Sequence, residues 1–259
     1  MPIYKVPNYR KISGTKQPWL VKDWSGPQHN APGEELHEKL AIEPGSKVLF
    51  FAGATGDWAH ALSRTTEVHY TDASKEMAQF AKGRFGLRGI RSFRTVDAVQ
   101  WPAKDRYDYV VSFEPYPLSS RLPLIAVRAL AHAKGMRIVN PLAYDHYLDR
   151  LMWVYKARSS YKEKKITDRH GDEVKVSLWQ LDSTPDARTA AQLDLKVIHA
   201  LQRRGAITMN RLTKLLSRKG ITSSKEELES SLRRIDLLAR QMKREAPGHD
   251  LTSEVEIVA

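Results

Sequence analysis

The segment from Val48 to Asp72 constrains the fold of this chain more than any other part. It contains the apolar run 48–51, a small-residue turn at 52–57, a helix-like stretch, and a second short strand that ends at Asp72. A strand, a small-residue turn that opens a helix, and a second strand ending in a carboxylate predict the first βαβ unit of a nucleotide-binding α/β fold. The small residues let backbone N–H groups approach an anionic group, and the carboxylate can accept both hydrogen bonds of a ribose diol. We therefore expect a ligand that carries an adenosine.

The alternation of strand and helix continues beyond this unit. Further strands are predicted over 90–96, 107–113 and 136–140, and further helices over 74–83, 122–132 and 144–161. Two more strand-like runs, 165–169 and 174–181, flank His170–Asp172 as a hairpin. The predicted fold is an α/β, Rossmann-like, mostly parallel sheet with a terminal antiparallel hairpin, and its ligand belongs at the carboxyl ends of the strands.

The pattern of apolar and turn residues divides the chain into four parts. Residues 1–34 form an irregular arm in which aromatic and basic residues alternate between prolines and glycines. The α/β domain covers 35–182, a linker is predicted over 183–192, and a small winged helix-turn-helix-like domain is predicted over 193–259. The aromatic and basic residues of the arm suit stacked bases and phosphates. Packing of the same aromatic side chains onto the domain explains them equally well.

Composition excludes several classes of chemistry. The 259 residues include no cysteine, so disulfides, cysteine-ligated metal centres and a thiol nucleophile are ruled out. No set of histidine, aspartate and glutamate has the spacing of a metal site. The longest apolar runs are far below the roughly 20 residues of a membrane helix, and the N-terminus lacks the apolar core of a signal peptide. We therefore expect a cytoplasmic protein with no membrane partner.

The net charge of +12 favours a polyanionic partner, most often nucleic acid. A generally basic surface of solvated lysines is the alternative explanation. Two clusters are candidates for contact with a phosphate backbone: the stretch 82–94, which has no acidic residue, and the cations over 233–244 in the third C-terminal helix. The same helix begins with acidic residues that would repel phosphates. We therefore expect the C-terminal domain to position nucleic acid or to dock a protein partner rather than to read a DNA sequence.

Residues 35–182 resemble the class I S-adenosylmethionine-dependent methyltransferases. The resemblance depends on the turn 48–57, which matches the glycine motif of the family, and on 71–77, its acidic strand end and following helix. The segments 96–98 and 108–118 add to it. The resemblance implies S-adenosylmethionine as cofactor and an in-line transfer of its methyl group. Because the chain has no cysteine, it cannot methylate pyrimidine C5 by a mechanism that requires a cysteine adduct.

The resemblance also implies which residues form the site. Asp72 would hold the ribose hydroxyls, Asp97 would approach the adenine amino group, and the methionine carboxylate would lie near the helix start at Asp57. The expected cofactor-binding residues are Ala52, Gly53, Ala54, Gly56, Asp57, Asp72, Ala73, Asp97, Ala98 and Ser112. Glu114 and Tyr116 would line the acceptor side. Glu114 would act as base if the acceptor must lose a proton, and Tyr116 would stack on a planar acceptor.

Three departures from the family pattern keep other functions open. Phe50 stands where many members carry an acidic residue, and Ala52 and Ala54 replace the first two glycines of the motif, although alanine reaches a positive φ only at a cost. An ion pair with Arg121 explains Glu114 as well as a catalytic role does. One alternative is therefore a catalytically silent methyltransferase-like scaffold that binds nucleic acid or protein. Another is a small-molecule or protein methyltransferase with an unrelated basic surface.

The turn Gly53–Gly56 also matches the NAD(P)-dependent short-chain reductases. That family uses a Tyr-x-x-x-Lys pair, and Tyr161 and Lys165 have this spacing. However, Ala59 stands where a third glycine is expected, and no serine is suitably placed upstream. We therefore favour an S-adenosylmethionine-dependent methyltransferase that acts on nucleic acid, on RNA rather than DNA.

Overall fold

A computed structural model describes residues 36–86, 88–101, 106–113, 121–139, 147–167, 173–204 and 207–244. The predicted N-terminal arm, the turn of the hairpin and the C-terminal end of the predicted winged helix-turn-helix-like domain lie outside these residues. Within them no helix combines the length and the apolar character that crossing a membrane requires.

Seven strands form one sheet. They are β1 (Lys47–Phe50), β2 (Glu67–Asp72), β3 (Ser92–Thr95), β4 (Tyr109–Phe113), β5 (Gly135–Val139), β6 (Arg158–Thr167) and β7 (Glu173–Asp182). Their order across the sheet is β3-β2-β1-β4-β5-β7-β6. The first five strands pair in parallel, whereas β7 runs antiparallel to both β5 and β6. The predicted mostly parallel sheet with a terminal antiparallel hairpin is confirmed.

Helices cover both faces of this sheet. In the described residues they are α1 (Leu36–Lys39), α2 (Asp57–Leu62), α3 (Lys75–Phe85), α4 (Leu122–His132), α5 (Tyr147–Val154), α6 (Pro185–Arg204), α7 (Met209–Ser217) and α8 (Lys225–Arg244). Alternate side chains of the central strands enter two separate cores. Leu49 and Val110 pack with α4, α5 and the C-terminal helices, and Val48 and Val111 pack with α1, α2 and α3. The central strands are apolar throughout because both of their faces are buried.

The helix predicted over 144–161 is wrong at its C-terminal end. In the described residues α5 ends at Val154, and β6 already begins at Arg158. Between them Lys156 adopts a positive φ of 55°, and Ala157 N–H bonds to the carbonyl of Met152, which closes the last turn. A left-handed residue at this place ends a helix in the way glycine usually does. Because lysine is not a residue that usually ends a helix in this conformation, the sequence did not indicate the end of α5. The predicted helix was therefore extended into β6.

The predicted linker at 183–192 is also wrong over most of its length, because α6 begins at Pro185. Near its start Arg188 donates a hydrogen bond to the carbonyl of Ala133, and Gln192 donates one to the carbonyl of Ala131. These contacts place the beginning of α6 beside the end of α4. Three C-terminal helices are present as predicted. The strand that would complete a winged helix lies outside the described residues, so that part of the prediction stays untested.

A buried network of charges joins these helices to the α/β domain. Arg234 of α8 makes two hydrogen bonds to the carboxylate of Asp194 in α6, of 2.8 Å from Nε and 2.7 Å from a terminal nitrogen. The hydroxyl of Tyr155, which follows α5, donates a third bond of 2.7 Å to the same carboxylate. Asp194 and Tyr155 are fully buried. Because a buried charge is tolerated only when it is paired, this network fixes the C-terminal helices against the sheet domain.

We expect Arg234→Met to lower the free energy of unfolding by about 3–5 kcal/mol, because it leaves the Asp194 carboxylate buried without its cation. Urea unfolding of the full chain measures this loss. The matched control is Arg240→Met, which breaks the exposed pair between Arg240 and Asp236 on the same helix. That change should cost less than about 1 kcal/mol. Equal losses in the two variants would contradict a docking role for Asp194.

Candidate active site

The described residues form a cleft at the point where the strand order reverses. β1 leads to β2 on one side and has β4 as its neighbour on the other, so the carboxyl ends of β1 and β4 leave a crevice. Open α/β sheets bind their ligands in such crevices. The cleft is lined by Phe50, Ala52, Gly53, Ala54, Thr55, Asp57, Trp58 and Phe113. Four of the ten predicted cofactor-binding residues therefore share one cavity.

The loop between β1 and α2 has an unusual backbone. Ala52 and Ala54 have positive φ angles of 49° and 46°, and Gly56 has one of 84°. The left-handed conformation costs an L-residue roughly 1–2 kcal/mol. The two alanines that replace the glycines of the motif therefore have a backbone conformation that favours glycine. Gly53 is required for a different reason, because a Cβ there would lie 2.2 Å from the ring of Tyr70.

Asp72 holds this loop in place. Its carboxylate accepts hydrogen bonds from Ala54 N–H at 3.0 Å and from Ser74 N–H at 2.8 Å. The hydroxyl of Tyr70 donates a bond of 2.6 Å to the carbonyl of Ala54 and so holds the same residue from the other side. Burial raises the pKa of Asp72, and the backbone hydrogen bonds oppose this shift. Each carboxylate oxygen can accept a further bond, so the position predicted to hold a ribose remains chemically suited to it.

Asp57 is the first residue of α2 and is buried. One of its oxygens accepts hydrogen bonds from the hydroxyl of Thr55 and from the guanidinium of Arg84, both at 2.8 Å. Arg84 belongs to the basic stretch that was considered for phosphate contact, and its charge is instead used to neutralise Asp57. The cation therefore stabilises the floor of the cleft.

Asp97 forms a buried ion pair. Arg121, which precedes α4, lies 2.9 Å from one oxygen of Asp97, and Val99 N–H donates to the other at 3.0 Å. The side chains of both charged residues are nearly inaccessible to solvent. An ion pair between Arg121 and Glu114 was the alternative explanation of Glu114; Glu114 lies outside the described residues, so that alternative stays open beside the pair with Asp97. The carboxylate predicted to approach an adenine amino group is thus already engaged by an arginine.

Two aromatic side chains that the sequence analysis did not select dominate one wall of the cleft. The rings of Trp58 and Phe113 stack with their centroids 3.9 Å apart and an interplanar angle of 15°. With Phe50 they narrow the cavity to a volume of about 20 Å³. Such a volume holds about one water molecule, whereas ligand sites usually measure 300 Å³ or more. The cavity bordered by this stack is therefore too small to hold a nucleoside.

The remaining predicted residues have different positions. Ala73 is exposed beside Asp72, and Ala98 is buried in the core. Ser112 lies fully buried near the end of β4, and its hydroxyl has no hydrogen-bond partner within the described part of the chain. Glu114 and Tyr116 lie outside the described residues, and their roles stay predictions.

The reductase alternative fails on geometry. Tyr161 and Lys165 both belong to β6, where four residues span about 13 Å, whereas the same spacing on a helix would bring the side chains together. Lys165 also pairs with Glu173 across the hairpin at 2.6 Å. The two side chains therefore cannot act as one catalytic pair.

Comparison with known proteins gives similarity of structure only. No protein-family model matches the sequence, and no curated protein sequence matches it. The chain is similar to the 23S rRNA methyltransferase ErmE, at 14% identity and a TM-score of 0.45 over 78% of this chain and 96% of that one.

Two further solved structures have comparable similarity. One is magnesium protoporphyrin IX methyltransferase ChlM from Synechocystis PCC 6803 with bound S-adenosylmethionine, at 16% identity and a TM-score of 0.45 over 68% of this chain and 89% of that one. The other is the N-methyltransferase NodS from Bradyrhizobium japonicum WM9, at 14% identity and a TM-score of 0.45 over 57% of this chain and 91% of that one. Similarity at this level carries no argument about the acceptor.

We expect Ala54→Gly to raise the free energy of unfolding by about 0.5–1 kcal/mol. Glycine removes the strain of the positive φ, and the greater freedom of the unfolded chain offsets part of that gain. Ala59→Gly in α2 is the control, since Ala59 is helical and the same change there should destabilise by about 1 kcal/mol or more. Chemical unfolding of both variants shows whether each substitution raises or lowers the free energy of unfolding. A loss of stability in Ala54→Gly would mean that the loop is not strained.

We expect protonation of His60 to destabilise the helix that borders the cleft. Burial, aided by the charge of Arg64, lowers the pKa of His60, whose ring stacks on Phe85 with centroids 4.5 Å apart. A lowered folded-state pKa gives stability that is present above the unfolded value of about 6.5 and is lost as the pH falls through the folded value. His60→Phe keeps a stacked ring without the titration. Its unfolding free energy should therefore fall less than that of the wild type between about pH 7 and 5, and an equal fall would contradict this role.

Proposed function

We propose that this chain is an S-adenosylmethionine-dependent methyltransferase that modifies nucleic acid, with RNA favoured over DNA. The observation that carries the proposal is the position of the cleft: it lies at the carboxyl ends of β1 and β4 in a sheet of order β3-β2-β1-β4-β5-β7-β6. An antiparallel β7 inserted between β5 and β6 agrees with the class I methyltransferase resemblance. A dinucleotide reductase would not require that hairpin.

The residues in and near the cleft have the chemistry that an adenosyl group requires. Asp72 offers carboxylate oxygens at the end of β2, and the loop 52–56 offers a surface without bulky side chains. Near the end of β4 the buried hydroxyl of Ser112 has no hydrogen-bond partner among the described residues. When bound, S-adenosylmethionine supplies a methyl group on a sulfonium. Asp72 would hold the ribose, and Ala73, which follows it, would lie beside the nucleoside. Asp97 would approach the adenine amino group, and Arg121 already bonds to one oxygen of its carboxylate.

The acceptor side of the site would be formed by the segment after β4. Methyl transfer is an in-line displacement, so the main contribution of the protein is to hold donor and acceptor in line. Tyr116 would orient a planar acceptor by stacking, and Glu114 would accept a proton if the acceptor atom carries one. Phe113 ends β4 at this place and contacts Trp58, so the acceptor approaches the same ring that closes the cleft.

A nucleic-acid acceptor is supported by charge, since the formal charge of +12 favours a polyanion. The helices α6, α7 and α8 pack on the same side of the sheet as α4 and add a helical surface to the domain. A protein partner docked on these helices is the other use of the same surface.

A catalytically silent scaffold is the second candidate, and two observations favour it. The stacked rings of Trp58 and Phe113 leave a cavity of about 20 Å³, and the Asp97 carboxylate is bound by Arg121. The stacked rings occupy space that a cofactor would need, and Arg121 neutralises a carboxylate that a cofactor would contact. The scaffold would keep the fold and its nucleic-acid or protein partner but would not turn over S-adenosylmethionine.

A small-molecule or protein methyltransferase is the third candidate. Deletion of 186–259 would test a role of the C-terminal helices in substrate choice only if the rest of the chain folded alone. Their apolar side chains belong to the same core as α4, and Asp194 is bonded to Tyr155. Deletion would therefore expose that core, and substitutions on the surface are the appropriate test.

We expect wild-type protein to bind S-adenosylmethionine with micromolar affinity in calorimetry. Asp72→Asn should weaken binding about 10- to 100-fold, since hydrogen bonds to a charged group are worth about 1.5–3 kcal/mol. Asp108→Asn is the matched control. Asp108 also accepts a backbone hydrogen bond, from Lys47 N–H at 2.9 Å, but it lies at the amino end of β4, away from the cleft.

Unfolding curves of both variants must be recorded beside the titrations, because Asp72 also supports the loop at Ala54. Absence of binding by folded wild-type protein would refute the enzyme and favour the scaffold. Binding that is weakened equally by Asp72→Asn and Asp108→Asn would place the ligand elsewhere.

A further inference from the structure

The region between α6 and α8 has an unusual charge composition. Residues 202–224 contain six arginine and lysine residues and no aspartate or glutamate. The helix α7 lies in the middle of this stretch. Its apolar residues Leu212 and Leu216 are buried in the main core and fix the orientation of the helix.

The cations of α7 share one face. Arg211, Lys214 and Arg218 are separated by three and four residues, which places them along one side of the helix, opposite the buried leucines. All three are exposed, as is Lys219 in the following turn. In the described residues no ion pair engages any of these four side chains. The set of four is called the α7 basic face below.

The charges of α8 are arranged differently. Arg234 is bound to Asp194, and Arg240 pairs with Asp236 at 2.8 Å. The first turn of α8 carries Glu226 and Glu227, and Glu227 is held in a reciprocal pair of hydrogen bonds with Ser224. The cations of 233–244 were candidates for contact with phosphates. Two of them, Arg234 and Arg240, instead form ion pairs within the protein. The helix that a winged helix would insert in a groove is instead packed on the sheet domain.

The topology places the α7 basic face at the end of the molecule where the cleft opens. α4 runs from the carboxyl end of the sheet, where Arg121 meets Asp97, to its amino end, where β5 begins. α6 starts beside the end of α4 and runs back along it, since successive contacts from Arg188 and Gln192 reach earlier residues of α4 and its cap. α6 has 20 residues and a length of about 30 Å, nearly twice that of α4. It therefore brings α7 to the carboxyl end of the sheet.

We propose that the α7 basic face binds the phosphate backbone of a single-stranded RNA whose target base enters the cleft. The inference rests on the proposed function for the identity of the strand as substrate. Four exposed cations that form no ion pair among the described residues attract phosphates and release their counterions on binding. No base-reading groups are required, because the face positions the strand while the cleft selects the base.

The test measures binding of the full-length chain to a fluorescent, mixed-sequence RNA of about 20 nucleotides, which exceeds the footprint of a small binding module. The variant is Arg211→Gln/Lys214→Gln/Arg218→Gln. The matched control is Arg150→Gln/Lys162→Gln/Lys196→Gln, which removes three exposed cations from α5, β6 and α6. Anisotropy is recorded between roughly 50 and 200 mM salt, where counterion release dominates.

Three lost phosphate contacts should lower the slope of log affinity against log salt by about 2, because each contact to a single strand contributes about 0.7. Near 0.1 M salt the same change weakens binding about 100-fold. The control variant should keep the wild-type slope. Equal losses in the two variants, no RNA binding by the wild type, or equal displacement of the RNA by polyglutamate would each overturn the proposal.

Calorimetry with S-adenosylmethionine separates this proposal from the proposed function. The α7 variant should bind the cofactor as the wild type does, because none of its three residues lines the cleft. Loss of RNA affinity with intact cofactor binding supports both proposals. A different outcome is that the wild type binds RNA through α7 but fails to bind the cofactor. That result would support the RNA-binding surface on a scaffold and would refute only the methyltransferase proposal.

Discussion

A half-buried carboxylate at the end of β2 is the constraint from which the candidate site follows. Asp72 gains hydrogen bonds from two backbone N–H groups, which offset part of the cost of its burial. The same bonds hold Ala54 in a backbone conformation that alanine rarely adopts. Asp72 and Tyr70 therefore position the loop from its two sides, while Arg84 neutralises Asp57 at the start of α2. Strain concentrated in this way is typical of functional loops.

A second carboxylate, that of Asp194, is fully buried. It accepts hydrogen bonds from the guanidinium of Arg234 and from the hydroxyl of Tyr155, and it therefore joins three segments that are distant in sequence. This arrangement makes the C-terminal helices an integral layer of the domain rather than an attached module. It also determines which cations remain free for a partner, because Arg234 is bound inside and the α7 basic face points outward.

The sequence predicted local elements better than long-range partners. The strands and helices from β1 to α4 follow from apolar runs separated by short turns. The end of α5 was missed because Lys156 replaces the usual glycine. The pairing of Asp97 with Arg121 and the stack of Trp58 on Phe113 join residues far apart in the chain, and no local pattern reports such contacts.

The aromatic stack across the cleft relates ligand binding to the fraction of molecules in which its two rings are separated. A ligand that needs the rings apart binds only the fraction of molecules in which Trp58 and Phe113 have separated. If that fraction were about 1%, the apparent dissociation constant would be about 100-fold weaker than the intrinsic one. A partner that contacted Phe113 from the acceptor side could favour the separated state. Donor and acceptor would then assist each other's binding through a single pair of rings, with reciprocal strength.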